Sequence, residues 1–517
     1  MTNSEYERII VRPTDEYNQK LVQNTHPETW INPQPVECYD LVIIGAGVAG
    51  LVVAAGAAGL GIGLKIALIE KHLMGGDCLN FGCIPSKSLI RSSRVIGEIW
   101  KSKDLGMNIS PISRKIDVDF ASVMARMRKI RANISENDSV QRFKKLGVDV
   151  FLGSGKFINQ NTIEVSGKKL KFKKAVIATG ARAKKPDIRG IEEVGYLTNE
   201  SVFSLIQKPD KLAVIGGGPI GCELAQVFRR LGCEVTLFHR GSHILNKEDP
   251  QAAAILQEVL VKEGIRLVLN CKIEEVVKVT EGKRLYFSSN EDRDSITVDE
   301  ILVGVGRTPN VEDLDLENVG VAYNEQGVIV NNYLQTTNPK IYAAGDICMS
   351  WKFTHAADAA ARIVIKNALF SPFGIGKSRF SDLIIPWVTY TDPEISHVGI
   401  YPSDAKKLGL EIETIKINFS TIDRAIADSE EFGFLKIYHR KGSDEILGAT
   451  IVASHAGEII SQLTTAMVNK IGLSQLSSVI YPYPTQAEAI KKAADAYRRT
   501  LLTDKTKQLL GFLHKLS

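Results

Sequence analysis

The chain has 517 residues, 44 % hydrophobic and 24 % charged, with a net charge of +5 and seven cysteines. That length suits about three domains of roughly 150 residues, and the balance is that of an ordinary globular protein. Basic residues are spread rather than clustered, which argues against a nucleic-acid partner, and an odd, sparse set of cysteines excludes a secreted disulfide scaffold and favours a reducing, cytoplasmic setting where any disulfide is catalytic or redox-sensing.

The N-terminus has no apolar signal core. Residues 1–38 are polar, carry Pro13, Pro27, Pro33 and Pro35, and lack sustained periodicity. Two readings stand: a disordered extension, or an arm that lays Trp30 and isolated apolar residues across the domain surface. Residues 41–64 are 24 uncharged, mostly apolar positions, beyond the ~18 that flags a membrane span. Seven glycines interrupt them and they open as a β-branched strand, so no membrane partner is expected.

From residue 39 the pattern runs strand (40–44), glycine turn (Gly45-Ala46-Gly47-Val48-Ala49-Gly50), helix (52–61), strand (65–70). It recurs as strand (211–215), turn (Gly216-Gly217-Gly218-Pro219-Ile220-Gly221), helix (222–231), strand (234–238). Two such units predict two dinucleotide sites. Residues 112–147 read as helix rich in Arg and Lys, and 148–178 as short strands ending at Ala178-Thr179-Gly180. From about 380 onward, strands (411–418, 433–439, 446–453) mix with helices.

A Gly-x-Gly-x-x-Gly match is credible only when it follows a strand and opens a helix, as both do here. Gly45, Gly47 and Gly50, and likewise Gly216, Gly218 and Gly221, let the backbone approach a pyrophosphate, whose charge meets the free amides and positive dipole of the helix N-terminus. Glu70, twenty residues after Gly50, can accept both ribose hydroxyls of an adenosine without a 2′-phosphate. The second unit's strand ends at His239-Arg240 with no acidic residue. A cation there suits a 2′-phosphate, so NADPH is favoured over NADH, with Arg240 the main contact and His239 and Lys247 assisting.

After the first unit comes Gly75-Gly76-Asp77-Cys78-Leu79-Asn80-Phe81-Gly82-Cys83-Ile84-Pro85-Ser86-Lys87. Two thiols five positions apart can close a reducible disulfide if the backbone leaves the regular helix and the Cα atoms come within about 7 Å. Gly82 and Pro85 supply that irregularity. A cysteine pair beside a cofactor suggests electrons passing between a ring and a disulfide.

Both glycine fingerprints, the cysteine pair with Pro85-Ser86-Lys87, Ala178-Thr179-Gly180, Gly306-Arg307-Thr308-Pro309-Asn310 and Ala344-Gly345-Asp346 occur in that order. Together they resemble the class I, FAD-dependent pyridine nucleotide-disulfide oxidoreductases, among them dihydrolipoamide dehydrogenase, glutathione reductase and mercuric reductase, over residues of about 39 to 500. The resemblance implies an α/β fold with two Rossmann-like dinucleotide-binding domains, for FAD and NAD(P), and a C-terminal α+β dimerisation domain. It places an N-terminal extension at 1–38, the FAD domain at 39–190 and 311–377, the NAD(P)H domain at 191–310 and the interface domain at 378–517. It further implies that Cys83 is the thiolate facing flavin and Cys78 the interchange thiol facing substrate. Lys87 would stabilise reduced flavin and pair with Glu223, and Asp346 would bind the ribityl chain, with the helix after it aimed at the isoalloxazine. Lys71, Gly76, Thr179, Gly180, Gly306 and Arg307 join the cofactor contacts. The other five cysteines are read as small buried hydrophobes, and no resident metal site is expected.

The chain departs from the family near its end. Where most members carry a histidine base, this one reads Tyr481-Pro482-Tyr483-Pro484-Thr485, with Tyr483 five residues before Glu488, the carboxylate that would orient the base. A phenol of ordinary pKa about 10 is a poor base at neutral pH, so dithiol–disulfide exchange should be impaired. Tyrosine at this place resembles mercuric reductase, whose soft Hg(II) prefers thiolates; yet residues 511–517 hold no cysteine pair, and no N-terminal Cys-x-x-Cys occurs. The expectation is a homodimer, each site receiving Tyr483 and Glu488 across the interface, that passes electrons from NADPH to a small-molecule or metal-ion acceptor. Two alternatives remain: a dihydrolipoamide dehydrogenase or other disulfide reductase, and a non-enzymatic thiol redox sensor or complex subunit.

Overall fold

The computed structural model describes residues 9–107, 117–290 and 292–517. Within the described part of the N-terminal segment, the docked arm is the reading that holds. Glu16–Thr25 forms helix α1, whose N-cap Asp15 accepts a hydrogen bond from the Asn18 amide at 2.8 Å. Leu21 is fully buried, and Asn18 accepts from Arg131 Nη2 at 2.6 Å. Further along, Asn32 bonds reciprocally with the Leu152 backbone, donating at 2.8 Å and accepting at 2.7 Å. Trp30 Nε1 donates to the Val150 carbonyl at 3.1 Å. The arm thus satisfies a sheet edge that would otherwise present unpaired backbone groups.

The strands β1 (Tyr39–Ile44), β2 (Ile66–Glu70) and β3 (Val148–Leu152) pair in parallel. Their near-continuous apolar runs are what a sheet covered on both faces requires. β4 (Gly155–Asn159) and β5 (Thr162–Val165) fold back antiparallel onto the start of β6 (Lys168–Ile177), whose second half pairs in parallel with β1. Strand Ile341–Ala343 then joins β6 in parallel and completes seven strands.

Helix α2 (Val48–Ala58) packs on this sheet and starts inside the glycine motif, four residues before the position read from sequence. Gly50 therefore lies in the helix, where a Cβ would come within 1.8 Å of the Gly45 carbonyl oxygen; the residue is needed for a close crossing. The stretch 41–64 divides into β1, turn and α2, and among the described residues no helix is long and apolar enough to cross a membrane.

The second unit is a parallel sheet ordered Arg266–Val268, Glu234–Phe238, Lys211–Ile215, Glu300–Val303. Its helix, Pro219–Arg230, also begins earlier than expected, because Pro219 at the first helical position has its φ already set. Residues 112–147 do not form one helix: 112–116 lie outside the described residues, and the rest splits into Phe120–Ile134, a 3₁₀ turn and Val140–Lys145. Ser139 restarts the chain by capping the Arg142 amide at 3.2 Å.

The C-terminal region is a five-stranded antiparallel sheet, ordered Pro386–Thr389, Glu394–Gly399, Ile446–Ala453, Phe434–Arg440, Ile412–Asn418. Helices Ala456–Val468 and Glu488–Thr500 share its core through Ile460, Leu463, Ile490 and Ala494. The fold as a whole is mixed α/β.

Candidate functional site

The two cysteines sit on different helices. α3 (Gly76–Asn80) carries Cys78, and α4 (Cys83–Lys101) opens with Cys83. Gly82 between them, at φ −133° and ψ −108°, breaks the helical path. Both thiols are free and half-buried. Cys83 Sγ lies 3.3 Å from Thr354 Oγ1, the first residue of helix Thr354–Leu369, so the positive end of that helix faces the sulfur. A hydrogen bond from Cys78, the Thr354 hydroxyl and the Lys87 charge together hold the Cys83 thiol below its usual range, against the opposing effect of burial. Cys78, which donates to Cys83 and is itself shielded from water, is pushed up. One thiol is thus prepared to be a thiolate and the other to keep its proton.

Lys87, one turn beyond Cys83, forms an ion pair with Glu223 Oε2 at 2.8 Å. The other Glu223 oxygen accepts from the Tyr390 amide at 2.8 Å, and Lys87 Nζ stands 4.6 Å from the Tyr390 ring centroid. Burial opposes the ammonium charge, but Glu223 beside it holds the Lys87 pKa above its ordinary value. This contact clamps the cysteine helix to the helix of the second glycine turn.

At the first turn Gly45 takes φ +101°, and a Cβ there would meet the Ala178 carbonyl oxygen at 2.3 Å. Gly76, at φ +57°, crosses so close that a Cβ would lie 2.6 Å from the Gly47 Cα. Gly47 caps α2 with no side chain, leaving first-turn amides unclaimed. A Cβ on Gly180 would meet nothing within 4 Å, so that face is open. Buried Glu70 accepts from the Ala46 amide at 2.7 Å and the His72 amide at 2.8 Å, and burial raises its pKa. Each carboxylate oxygen keeps a lone pair for a further donor. Free helix amides, an open glycine face and a fixed carboxylate are the donor and acceptor set that a pyrophosphate joined to a ribose diol requires, so these residues fit FAD. Lys71 is exposed at the rim.

Arg307 belongs to this side of the molecule. Its Nη1 meets Asp77 Oδ2 at 3.0 Å, its Nη2 donates to the Ala181 carbonyl at 2.6 Å, and its Nε lies 3.2 Å from Asp346 Oδ2 in a charge contact. Burial raises the pKa of both aspartates, with Arg307 opposing. Thr179 and Asn310 exchange bonds at 2.8 and 2.9 Å, stitching the Ala178-Thr179-Gly180 turn to the segment that begins at Gly306.

At the second turn Gly216 takes φ +116° against the Gly304 carbonyl, Gly221 crosses Gly216 as Gly50 crosses Gly45, and Gly218 leaves the helix end uncapped. His239 Nδ1 accepts from the Gly217 amide at 3.1 Å, which demands an unprotonated nitrogen, and burial lowers its pKa. Arg240 and Lys247 are exposed and remain the available cations.

Tyr483 is 71 % exposed on this chain, and its hydroxyl donates to Asp423 Oδ2 at 2.9 Å. That bond and the Asp423 charge raise the phenol pKa. The pairing of Tyr483 with Glu488 expected from spacing is therefore replaced by one with Asp423. Glu488 heads its helix with Oε2 buried and without a hydrogen-bond partner among the described residues. Among the described residues, neither side chain hydrogen-bonds to a cysteine of its own chain. Of the remaining cysteines, Cys222, Cys233 and Cys271 are buried as expected, whereas Cys38 and Cys348 are half-buried, Cys348 packing against the core of the first unit. No group of three or more His, Cys, Asp or Glu that could hold a metal occurs among the described residues.

Thr354, Tyr390, Asp77 and Asp423 escaped the reading of the sequence. Each acts through a neighbour distant in the chain, and Asp77, although inside the cysteine motif, gives no local sign of its pairing with Arg307.

Residues 39–361 match the family model for pyridine nucleotide-disulphide oxidoreductase, and residues 385–494 match that family's dimerisation domain, which indicates a homodimer. A mercuric reductase of Lysinibacillus sphaericus is 34 % identical over 458 residues, covering 88 % of this chain and 82 % of that one. A dihydrolipoyl dehydrogenase of Chlamydia muridarum is 32 % identical over 465 residues, covering 89 % and 96 %. Among solved structures, the Cu(II) complex of the HOCl-induced flavoprotein disulfide reductase RclA from Escherichia coli superposes with a TM-score of 0.77 at 27 % identity, covering 89 % of this chain and all of that one.

Proposed function

The chain belongs to the pyridine nucleotide-disulphide oxidoreductase family, and from that premise we propose that it is an NADPH-dependent flavoprotein reductase whose Cys78–Cys83 pair serves a small soft acceptor, first among them a thiolate-bound metal ion. FAD, when bound, supplies the two-electron carrier between nicotinamide and disulfide. Gly45, Gly47, Gly50, Glu70, Lys71, Gly76, Thr179, Gly180 and Asp346 would hold it, with Arg307 keeping Asp77 and Asp346 in place. Gly216, Gly218, Gly221, Arg240 and Lys247 would hold the nicotinamide nucleotide. By segment, 39–190 with 311–377 would serve FAD, 191–310 the nucleotide and 378–517 the interface, behind an extension at 1–38. The sparse, free cysteines support a cytoplasmic setting.

The observation that carries this reading is the placement of the two thiols: Cys83 Sγ stands 3.3 Å from the Thr354 hydroxyl at a helix N-terminus, one turn from the Lys87–Glu223 ion pair, with Cys78 beside it. Lys87, held by Glu223, keeps a positive charge next to Cys83 through the cycle. A pair of adjacent soft sulfurs is a fitting ligand set for a soft cation. With Tyr483 where a base would stand, the site has a poor proton donor for a leaving thiolate.

Anaerobic NADPH should bleach the flavin of the purified protein and produce a long-wavelength thiolate-to-flavin charge-transfer band. NADPH oxidation should then be fastest with Hg(II) or Cu(II), and slow with lipoamide, glutathione disulfide and quinones. Turnover with lipoamide above that with either metal would replace this reading by a disulfide reductase. No flavin reduction would replace it by a non-catalytic thiol sensor.

A further inference from the structure

We propose that Asp423 is the positioning residue of the phenol at this site: by holding the Tyr483 proton it makes Tyr483 an acceptor-only group, so that the site favours a cationic acceptor over a neutral disulfide. The inference rests on the function proposed above, with Tyr483 standing where a base would.

A tyrosine has one hydroxyl proton and two lone pairs. Here the proton is given to Asp423 Oδ2 at 2.9 Å, although Glu488, five residues on, has a buried oxygen with no hydrogen-bond partner among the described residues. Asp423 opens the short helix Asp423–Ala427 and is exposed. Two cations of this region are engaged elsewhere: Arg424, the next residue, donates from Nε to Asp428 Oδ2 at 2.6 Å, and Lys492 Nζ donates to the Thr421 carbonyl. Asp423 is thus left to Tyr483, and both its charge and that of Glu488 oppose ionisation of the phenol. What the phenol offers outward is lone pairs.

That polarity decides between substrates. For Cys78 to attack a neutral disulfide its thiol must first give up its proton to a group in the site; one S–S bond then forms, another breaks, and the expelled thiolate must take a proton back from that group. A phenol already donating to a carboxylate, with its pKa raised, is a poor acid for this task. A soft cation needs no proton, and an oxygen presenting lone pairs is attractive to it.

The test is Asp423→Ala, a change at an exposed residue. Removing the carboxylate frees the phenol proton, so turnover with lipoamide should rise about tenfold, a modest share of the 10²–10⁴-fold that a placed general acid can supply. Ultraviolet difference titration should show one tyrosine ionising at lower pH in Asp423→Ala than in the parent. Asp423→Asn, which keeps an acceptor but removes the charge, should fall between. The rise should vanish in the Asp423→Ala/Tyr483→Phe double variant. A lipoamide turnover unchanged by Asp423→Ala, or a rise that persists without the Tyr483 hydroxyl, overturns the proposal. If the parent protein gives no charge-transfer band with NADPH, the proposed function itself has failed, whereas the tyrosine titration still reports on Asp423.

Discussion

The two glycine turns are built on one plan and end in opposite chemistry. In each, a glycine at positive φ is pressed against a carbonyl, the third glycine crosses the first, and an uncapped glycine opens the helix. In each, the residue at or just past the end of the second strand accepts a hydrogen bond from the amide of the turn's second residue. That acceptor is the Glu70 carboxylate for Ala46 and the neutral His239 imidazole for Gly217. Gly217 itself follows from the ring, since a Cβ there would lie 3.0 Å from His239 Cγ. The same backbone device thus places a negative charge at one adenosine site and none at the other. A carboxylate repels a 2′-phosphate; a neutral imidazole followed by exposed Arg240 does not. The fingerprint specifies a pyrophosphate, and the strand-end residue specifies which nucleotide follows it.

Three experiments press on this contrast. The largest effect should come from Glu70→Ala, which removes a buried acceptor of two backbone amides and leaves both unpaired. The carboxylate is also the acceptor left for the ribose hydroxyls, and at about 1.5–3 kcal/mol for a hydrogen bond to a charged group FAD affinity should fall roughly 10- to 100-fold, read as the ratio of flavin to protein absorbance after purification. Full flavin content in this variant would mean that the carboxylate is only structural. Next, Arg240→Ala should raise KM for NADPH about tenfold, near 1.4 kcal/mol, with kcat and KM for NADH little changed. An equal rise for both nucleotides would show that Arg240 does not read the 2′-phosphate.

The smallest effect concerns pH. The folded pKa of His239 is depressed below its ordinary value of about 6.5, so its stabilising contribution is present above the unfolded pKa. It is lost as pH falls through the folded value, because the unfolded chain then binds the extra proton. Replacing His239 by Asn should therefore flatten the decline of Tm on acidification below about pH 6.5. An unchanged slope would remove His239 from the account. Glu70, whose pKa is raised, shifts in the opposite sense and should instead favour stability on the acid side.

Much of this was legible in the chain. Both βαβ units, the separation of the cysteines by an irregular turn and the acidic or non-acidic strand ends depend on local period and spacing, which the sequence carries directly. Helix starts were misplaced by three or four residues because glycine and proline read as turn residues although they occupy the first helical turn. The charge state of His239 was not legible, because it follows from an amide 22 residues away and from burial. Family resemblance marked Glu488 as the carboxylate beside Tyr483, and nothing local shows that the Tyr483 hydroxyl reaches 60 residues back to Asp423. The arm was ambiguous for a related reason: a polar, proline-rich segment has no periodicity of its own, and only the exposed backbone of β3 shows what it is for.

By itself, the sequence determined that two dinucleotide sites flank a redox-capable cysteine pair, since those motifs are short-range patterns whose geometry is largely set by the residues within them. Only the tertiary structure decided the charges at those sites. Lys87 meets Glu223 across 136 residues, Thr354 reaches Cys83 across 271, and Arg307 joins Asp77 to Asp346. Whether a thiol is lowered, an imidazole neutral or a phenol an acceptor depends on burial and on partners brought together from distant parts of the chain, and local pattern carries neither.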